Sequence, residues 1–245
     1  MKPTEDVVLS WVDPGEVETP FMLSVLNTLA FDRANGGRIA GWIQMGSSAN
    51  VSAGRNEIVR RFLDESSAPW LVMVDTDMVW PPDAVHRLVA SADPVKFPVV
   101  GGLCFAKEAD TGMLWPTLYT LIGTEEKPQL ARYDEWLDGE MLPVAATGAA
   151  FLLMHRSVLE RVRERGFSDA YPWFQEREFN GQRAGEDATF CLRCASLGVP
   201  VHVNTAVDVG HIKKHVVTVE GYRAQRAFAM QKEYLAEAYP EEYSK

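Results

Sequence analysis

The pattern of apolar and polar positions along the 245-residue chain predicts strands that alternate with helices. Residues 7–11 form a short apolar, β-rich run that ends at a turn, and residues 19–34 have the apolar spacing of a helix. Asn35-Gly36-Gly37 ends that helix. The same reasoning predicts strands at 38–45, 70–74, 99–103, 149–154, 199–203 and 206–209, and helices at 54–63, 81–92, 157–165, 187–197 and 221–238.

The run Trp70-Leu71-Val72-Met73-Val74 is apolar throughout, as expected of a strand that is buried on both faces. Between 104 and 146 the helical spacing disappears, and short strands are predicted at 117–122, 130–133 and 141–144. We therefore predict an α/β fold with a mostly parallel central sheet flanked by helices and a small antiparallel excursion in the middle third. The interpretation is one domain over 1–245, with residues 216–245 as a C-terminal helical extension.

Composition and charge narrow the function. The formal net charge is −10, which argues against a sequence-independent grip on nucleic acid. No apolar run approaches the length of an integral membrane segment, and the polar start does not resemble a signal peptide. Three cysteines are too few for a disulfide framework. The expectation is a soluble cytoplasmic enzyme that binds any anionic ligand at a local site, such as a metal.

The first candidate site is Asp75-Thr76-Asp77, which directly follows the buried strand. Ligands bind at the carboxyl ends of strands in such sheets, and extended backbone would direct both carboxylates to the same side. Oxygen ligands suit Mg²⁺ or Mn²⁺ shared with a diphosphate. A solvated turn or a helix cap is the structural alternative.

Four further features lie where the predicted strands and helices meet. Small residues around Thr147-Gly148 enter an apolar strand, where a ligand can approach the backbone or the chain simply packs tightly. Glu186-Asp187 begin a helix, as capping residues or as a general base. His211 follows a strand and is either a packing residue or a metal ligand. Arg55-Asn56 open a helix near a strand end, and Lys213 lies beyond His211, so both can meet phosphate.

Together these motifs resemble family-2-like glycosyltransferases of the glycosyltransferase-A fold. The resemblance covers roughly residues 6–215 and rests on the order of the motifs along the chain. That order is Arg55-Asn56, Val74-Asp75-Thr76-Asp77 with Pro81-Pro82, Thr147 to Leu153, Glu186 to Cys191, and Val209-Gly210-His211.

The resemblance implies a role for each matched residue. Asp77 and His211 would hold the metal that bridges the donor diphosphate, and Asp75 with Thr76 would lie near the nucleotide. Asp187 would act as the base on the acceptor hydroxyl, supported by Glu186. Further donor contacts would come from Arg55 and Asn56, from Asp13 beside the base, and from Gly102, Thr147 and Gly148, which would leave room for the sugar.

The sequence therefore predicts a metal-dependent glycosyltransferase that uses Mn²⁺ or Mg²⁺ and a UDP- or GDP-sugar. We expect inversion at the anomeric carbon, whereas a retaining enzyme would keep the metal site without needing Asp187 as base. A nucleotide- or carbohydrate-binding protein without turnover is the alternative outside enzymes. A nucleotidyltransferase is disfavoured because no glycine-rich loop follows the first strand. The sequence does not identify the acceptor, and a homo-oligomer remains open.

The aromatic residues of the irregular segments have two interpretations. Trp115, Tyr171, Trp173 and Phe174 can stack on a sugar ring or pack beneath long loops.

Overall fold

The computed structural model describes residues 6–46, 50–108 and 112–213, and beyond these residues 219, 222, 223, 226–228, 230, 231 and 234. Its helices are α1 (Thr19–Ala34), α2 (Val51–Glu65), α3 (Ala84–Ser91), α4 (Arg156–Arg165) and α5 (Glu186–Ser196). Its strands are β1 (Val7–Asp13), β2 (Ile39–Gly46), β3 (Trp70–Val74), β4 (Met78–Val79), β5 (Val99–Leu103), β6 (Phe105–Lys107), β7 (Leu114–Pro116), β8 (Leu118–Thr124), β9 (Lys127–Arg132), β10 (Met141–Val144), β11 (Ala146–Thr147), β12 (Phe151–His155), β13 (Arg177–Phe179), β14 (Gln182–Ala184), β15 (Val201–Asp208) and β16 (Gly210–His211).

The chain divides into two compact units, Met1–Ile212 and Lys213–Lys245. All the elements named above belong to the first unit. In the second unit, the described residues from 219 to 234 are helical and exposed. The remainder of the helix predicted at 221–238 lies outside the described residues.

The main sheet of the first unit has seven strands in the order β10-β15-β5-β12-β3-β1-β2. Pairing is parallel between β2, β1 and β3 and between β5 and β15. Strand β12 runs antiparallel between β3 and β5, and β10 pairs antiparallel with β15 at the sheet edge. The predicted α/β class is confirmed, and the sheet is mixed because β12 and β10 are reversed.

Helices cover both faces of this sheet because side chains alternate between the faces along each buried strand. Leu71 and Met73 of β3 belong to an apolar cluster that includes residues of α2, α4 and α5. Trp70, Val72 and Val74 belong to a second cluster that includes residues of α1 and α3. The two-sided burial explains why β3 reads as an unbroken apolar run.

The antiparallel excursion predicted for the middle third is also confirmed. Strands β8 and β9 form a hairpin, and β11 pairs antiparallel with β8. Two further small hairpins, β6–β7 and β13–β14, were not predicted. Their strands are only three residues long, too short to show an alternating pattern.

Several predicted boundaries were wrong, and the structure explains two of them. The two strands predicted at 199–203 and 206–209 are one strand, β15, whose register against β5 shifts between Asn204 and Asp208. The helix predicted from Pro81 begins only at Ala84, and the proline segment forms a turn in which Ala84 N donates to Pro81 O at 3.0 Å.

Within the part of the chain that the structure describes, no helix combines the length and apolar character needed to cross a membrane.

Candidate functional site

The candidate residues cluster at one edge of the main sheet, the edge formed by the carboxyl ends of its parallel strands. The parallel strands β1 and β3 end there, since β1 pairs in register with β3. Antiparallel β12 begins at the same edge, because Phe151 is the partner of Val74. The segment before β12 therefore faces the residues that follow β3, and Asp75 N donates to Ala150 O at 3.0 Å.

Asp75-Thr76-Asp77 forms a turn between β3 and β4. Met78 N donates to Asp75 O at 3.2 Å, which closes the turn. The backbone is therefore not extended here, and the prediction that it directs both carboxylates to the same side was wrong. Each carboxylate has a partner of its own, and the two partners differ.

Asp77 faces His211 across the pairing of β4 with β16. The carboxylate Oδ2 lies 2.8 Å from His211 Nε2, and Ile212 N donates to Asp77 O at 2.7 Å. His211 Nδ1 is 2.8 Å from Phe105 O, and a carbonyl only accepts, so Nδ1 carries a proton. Nε2 then donates a hydrogen bond to the Asp77 oxygen when the ring is charged, and presents a lone pair towards it when the ring is neutral.

This pair fits a divalent cation. Two acceptor atoms at 2.8 Å repel each other unless a proton or a cation lies between them. A backbone carbonyl that fixes the opposite ring nitrogen is the usual support of a metal-ligating histidine. Among the described residues, no cluster of three or more metal-ligating side chains occurs. Among the described residues Asp77 and His211 are the two candidate ligands brought together here, and Mg²⁺-type sites are commonly completed by substrate phosphates and water.

Asp75 is instead joined to Arg55 of α2. Arg55 Nη2 donates to Asp75 Oδ1 at 2.6 Å, and Nη1 donates to Glu186 Oε1 at 2.6 Å. The Arg55 side chain is 4% exposed, Glu186 20% and Asp75 36%. One buried guanidinium therefore connects the residue after β3 with the first residue of α5.

Asp187, next to Glu186 in α5, lies partly buried beside the small-residue segment. Its Oδ1 accepts a hydrogen bond from Ala188 N at 2.7 Å. Burial raises the pKa of Asp187, the charges of Glu186 and Asp75 act in the same direction, and Arg55 opposes them. Asp187 lines a groove of about 290 Å³ whose walls include Tyr119, Phe179 and Gly185.

Gly148 lies against Asp187. A Cβ built on Gly148 would be 3.6 Å from Asp187 Oδ2 and 3.5 Å from Thr117. Thr147 is buried in β11. Gly102 lies in the packed interior of β5, where a Cβ would meet Val207 O at 3.0 Å and Phe151 at 3.1 Å, so close packing explains this glycine.

Asn56 has only protein partners. Its Nδ2 donates to Ser52 O and Phe174 O, and its Oδ1 accepts from Trp173 N and Phe174 N. These four hydrogen bonds use the full capacity of the side chain. The structure thus assigns Asn56 to holding Trp173 and Phe174, which are buried core residues rather than exposed sugar platforms.

The remaining predicted donor contacts are Asp13, Thr76 and Lys213. Asp13 accepts from Gly15 N at 2.7 Å and is hydrogen bonded to Gln44 of the neighbouring β2. Thr76 is partly buried in the turn. Lys213 belongs to the second compact unit.

Two groups near the site, Tyr119 and the Phe105 carbonyl, were not predicted from the sequence. Tyr119 lines the groove beside Asp187, and burial, followed by the Asp187 charge, raises its pKa. The pattern of strand β8 does not reveal which groove this side chain faces. The Phe105 carbonyl, which orients His211, carries no signal in the sequence.

Comparisons with known proteins support the fold. No protein-family model matches the sequence, and no curated protein matches it significantly. The structure is similar to that of A197 from STIV, with a TM-score of 0.55 at 15% identity over 87% of each chain. It is also similar to GalNAc-T7 in complex with UDP, GalNAc and Mn²⁺, with a TM-score of 0.55 at 12% identity. That match covers 85% of this chain and 44% of GalNAc-T7, so the chain spans less than half of that protein. At these identities the likeness establishes a shared fold.

Proposed function

We propose that the protein is a metal-dependent glycosyltransferase that moves a sugar from a nucleotide-sugar donor to an acceptor hydroxyl. The observation that carries this proposal is the Arg55 bridge, which joins Asp75 to Glu186 and so brings the residues after β3 together with the start of α5. The similarity in fold to GalNAc-T7, which was solved with UDP, GalNAc and Mn²⁺, supports the same proposal. UDP- and GDP-sugars are the donors to test first.

Asp77 and His211 would hold the cation. Asp77 would supply a carboxylate oxygen, and His211 would supply Nε2 of its neutral ring, which Nδ1 orients by donating to Phe105 O. When bound, Mn²⁺ or Mg²⁺ neutralises charge that develops on a diphosphate leaving group. Asp75 stands at the same turn, where its contact with Arg55 fixes the carboxylate.

Asp187 would accept the proton of the acceptor hydroxyl. A base is most effective when its pKa approaches the working pH, and burial shifts the pKa of Asp187 in that direction. The acceptor would reach Asp187 through the groove beside it. Gly148 has no side chain, so its backbone lies close to the Asp187 carboxylate. Direct attack by an acceptor activated in this way inverts the anomeric carbon.

The donor site is tested by calorimetric titration with UDP, GDP, CDP and ADP, with and without Mn²⁺. We expect one nucleotide to bind at least tenfold more tightly with the metal, and Asp77→Ala to remove that gain. Asp64→Ala replaces an exposed carboxylate of α2 and should change nothing. Nucleotide binding that ignores Mn²⁺, or that survives unchanged in Asp77→Ala, contradicts the assignment.

Turnover is tested separately with the corresponding nucleotide sugars. Transfer, or slow hydrolysis of the donor in the absence of acceptor, distinguishes an enzyme from a binding protein. The anomeric configuration of the product, read by NMR, distinguishes inversion from retention. Retention would leave the metal site standing but remove the role proposed for Asp187.

A further inference from the structure

A second cavity, of about 250 Å³, shares Phe179 with the groove beside Asp187. Its lining combines apolar with cationic and hydroxyl side chains, namely Phe167, Phe179 and Leu192 with Arg177, Thr189 and Arg193. None of these residues belongs to the metal or donor site proposed above. The combination raises the question of what the polar atoms bind.

Arg193 is a buried guanidinium without a counter-ion. The residue is 3% exposed, and its Nη atoms donate to Tyr171 O, Pro172 O and Gln175 Oε1 at 2.7–2.8 Å, all of which are neutral acceptors. Its Nε is buried and has no hydrogen-bond partner. Among the residues that the structure describes, no carboxylate forms an ion pair with Arg193. Burial, together with the charge of Arg177, lowers the pKa of Arg193 to about 10.

Thr189 adds a second unpartnered group to the same cavity. It precedes Arg193 by one helical turn of α5, so both side chains lie on one face of the helix. The residue is 5% exposed, and its Oγ1 is buried without a hydrogen-bond partner. Buried polar groups in folded proteins are almost always satisfied, and here two unpartnered groups belong to residues that line the same cavity.

Arg177 supplies a second guanidinium from β13. Arg177 is exposed, both arginines line the cavity, and the charge of Arg177 adds to burial in lowering the pKa of Arg193. Glu178 also lines the cavity but is exposed and forms no ion pair with either arginine in the described part of the chain. A bound anion would reduce the repulsion between Arg177 and Arg193, which Glu178 does not compensate.

We propose that this cavity binds a small oxyanion, a phosphate or a carboxylate, between Arg193, Thr189 and Arg177. Such a group accepts hydrogen bonds without donating any, which suits a guanidinium N–H and a hydroxyl. The wall of Phe167, Phe179 and Leu192 would contact the remainder of the ligand. The proposal is independent of the glycosyltransferase proposal, because the oxyanion would contact none of the side chains proposed to hold the metal, to bind the donor or to accept the proton. Phe179 alone lines both this cavity and the groove beside Asp187.

The test is calorimetric titration of the full chain with inorganic phosphate and with benzoate at pH 7, in metal-free buffer that contains a chelator. The chelator excludes phosphate binding at a metal held by Asp77 and His211. We expect at least one probe to bind with millimolar affinity or better. The tighter probe identifies the preferred oxyanion.

The variants separate a built site from general charge attraction. Arg177→Gln should weaken binding about tenfold, since one charge-assisted hydrogen bond is lost, and Thr189→Val about threefold. Arg183→Gln is the matched control, because Arg183 is exposed in the neighbouring strand β14 and pairs with Glu176 outside this cavity. Arg193 is not replaced, since it holds backbone carbonyls of the core. The absence of binding by both probes, or equal weakening by Arg177→Gln and Arg183→Gln, overturns the proposal.

Discussion

Replacement of Arg55 by methionine tests whether the guanidinium bridge holds the site together. Arg55→Met keeps the length of the aliphatic stem but removes both contacts of 2.6 Å, with Asp75 and with Glu186. The variant leaves two carboxylates without their cation. These carboxylates also face Asp187, whose pKa their charges already raise.

The expected loss can be worked from the geometry. A hydrogen bond to a charged group contributes about 1.5–3 kcal/mol. The contact with Glu186, which is 20% exposed, belongs nearer the upper end, and the contact with Asp75, which is 36% exposed, nearer the lower end. Methionine recovers part of the sum because it removes the cost of burying a charge. We expect a net loss of about 3 kcal/mol in the free energy of unfolding.

The measurement is urea denaturation at pH 7 and 25 °C, with Arg163→Met as the control. Arg163 contacts Asp64 at 3.0 Å, but the two side chains are 45% and 54% exposed, so that variant should lose less than about 1 kcal/mol. Arg55→Lys keeps the charge without the fork that reaches both carboxylates, and should fall between Arg55→Met and wild type. If Arg55→Met loses no more than the control, the bridge does not organise the site.

Three further predictions concern neighbouring groups. Asp187→Asn should lower transfer by about 10²–10⁴-fold with donor binding retained. The pKa of Asp187 is raised in the folded protein, so the wild type loses stability as the pH rises from the pKa of an exposed aspartate through that raised value, whereas Asp187→Asn has no carboxyl group to ionise. The stability advantage of Asp187→Asn in urea should therefore grow between pH 4 and 7, and a constant difference would refute this. Asn56→Ala should cost about 3 kcal/mol in the same assay, since it leaves Trp173 and Phe174 backbone groups unpaired, and a loss below about 1 kcal/mol would contradict the four hydrogen bonds. Gly210→Ala should weaken Mn²⁺-linked nucleotide binding, because its Cβ would lie 2.6 Å from Val79 Cγ2 and disturb the β4–β16 pairing, and adding Val79→Ala should restore binding if the clash is the cause.

Strong local patterns made part of the fold predictable. Helix α1 was predicted with its observed bounds, Thr19–Ala34, because its apolar spacing ends at two glycines that have positive φ. Strands β3 and β5 were also predicted with their observed bounds, since they are buried on both faces. The reversed direction of β12 was not predictable, because a strand buried on both faces has the same composition in either orientation.

The sequence predicted which residues form the candidate site, but not which residues they contact. Asp75, Glu186 and His211 were identified because they follow a strand or begin a helix. Their partners depend on the tertiary fold: Arg55 reaches Asp75 across 20 positions and Glu186 across 131. Arg55, at the start of a helix, was expected to bind phosphate. In the structure it instead binds two carboxylates of its own chain.

The role of Arg55 also bears on how this site would accept an anionic donor. Its charge is used by Asp75 and Glu186, so it is not free to neutralise a diphosphate. The carboxylates of Asp77 and Asp187 add negative charge to the same sheet edge, in a chain of net charge −10. A diphosphate brought to this edge alone would be repelled. A divalent cation held by Asp77 and His211 would offset much of that negative charge, which is why metal-linked binding, rather than binding alone, decides whether the proposed function is right.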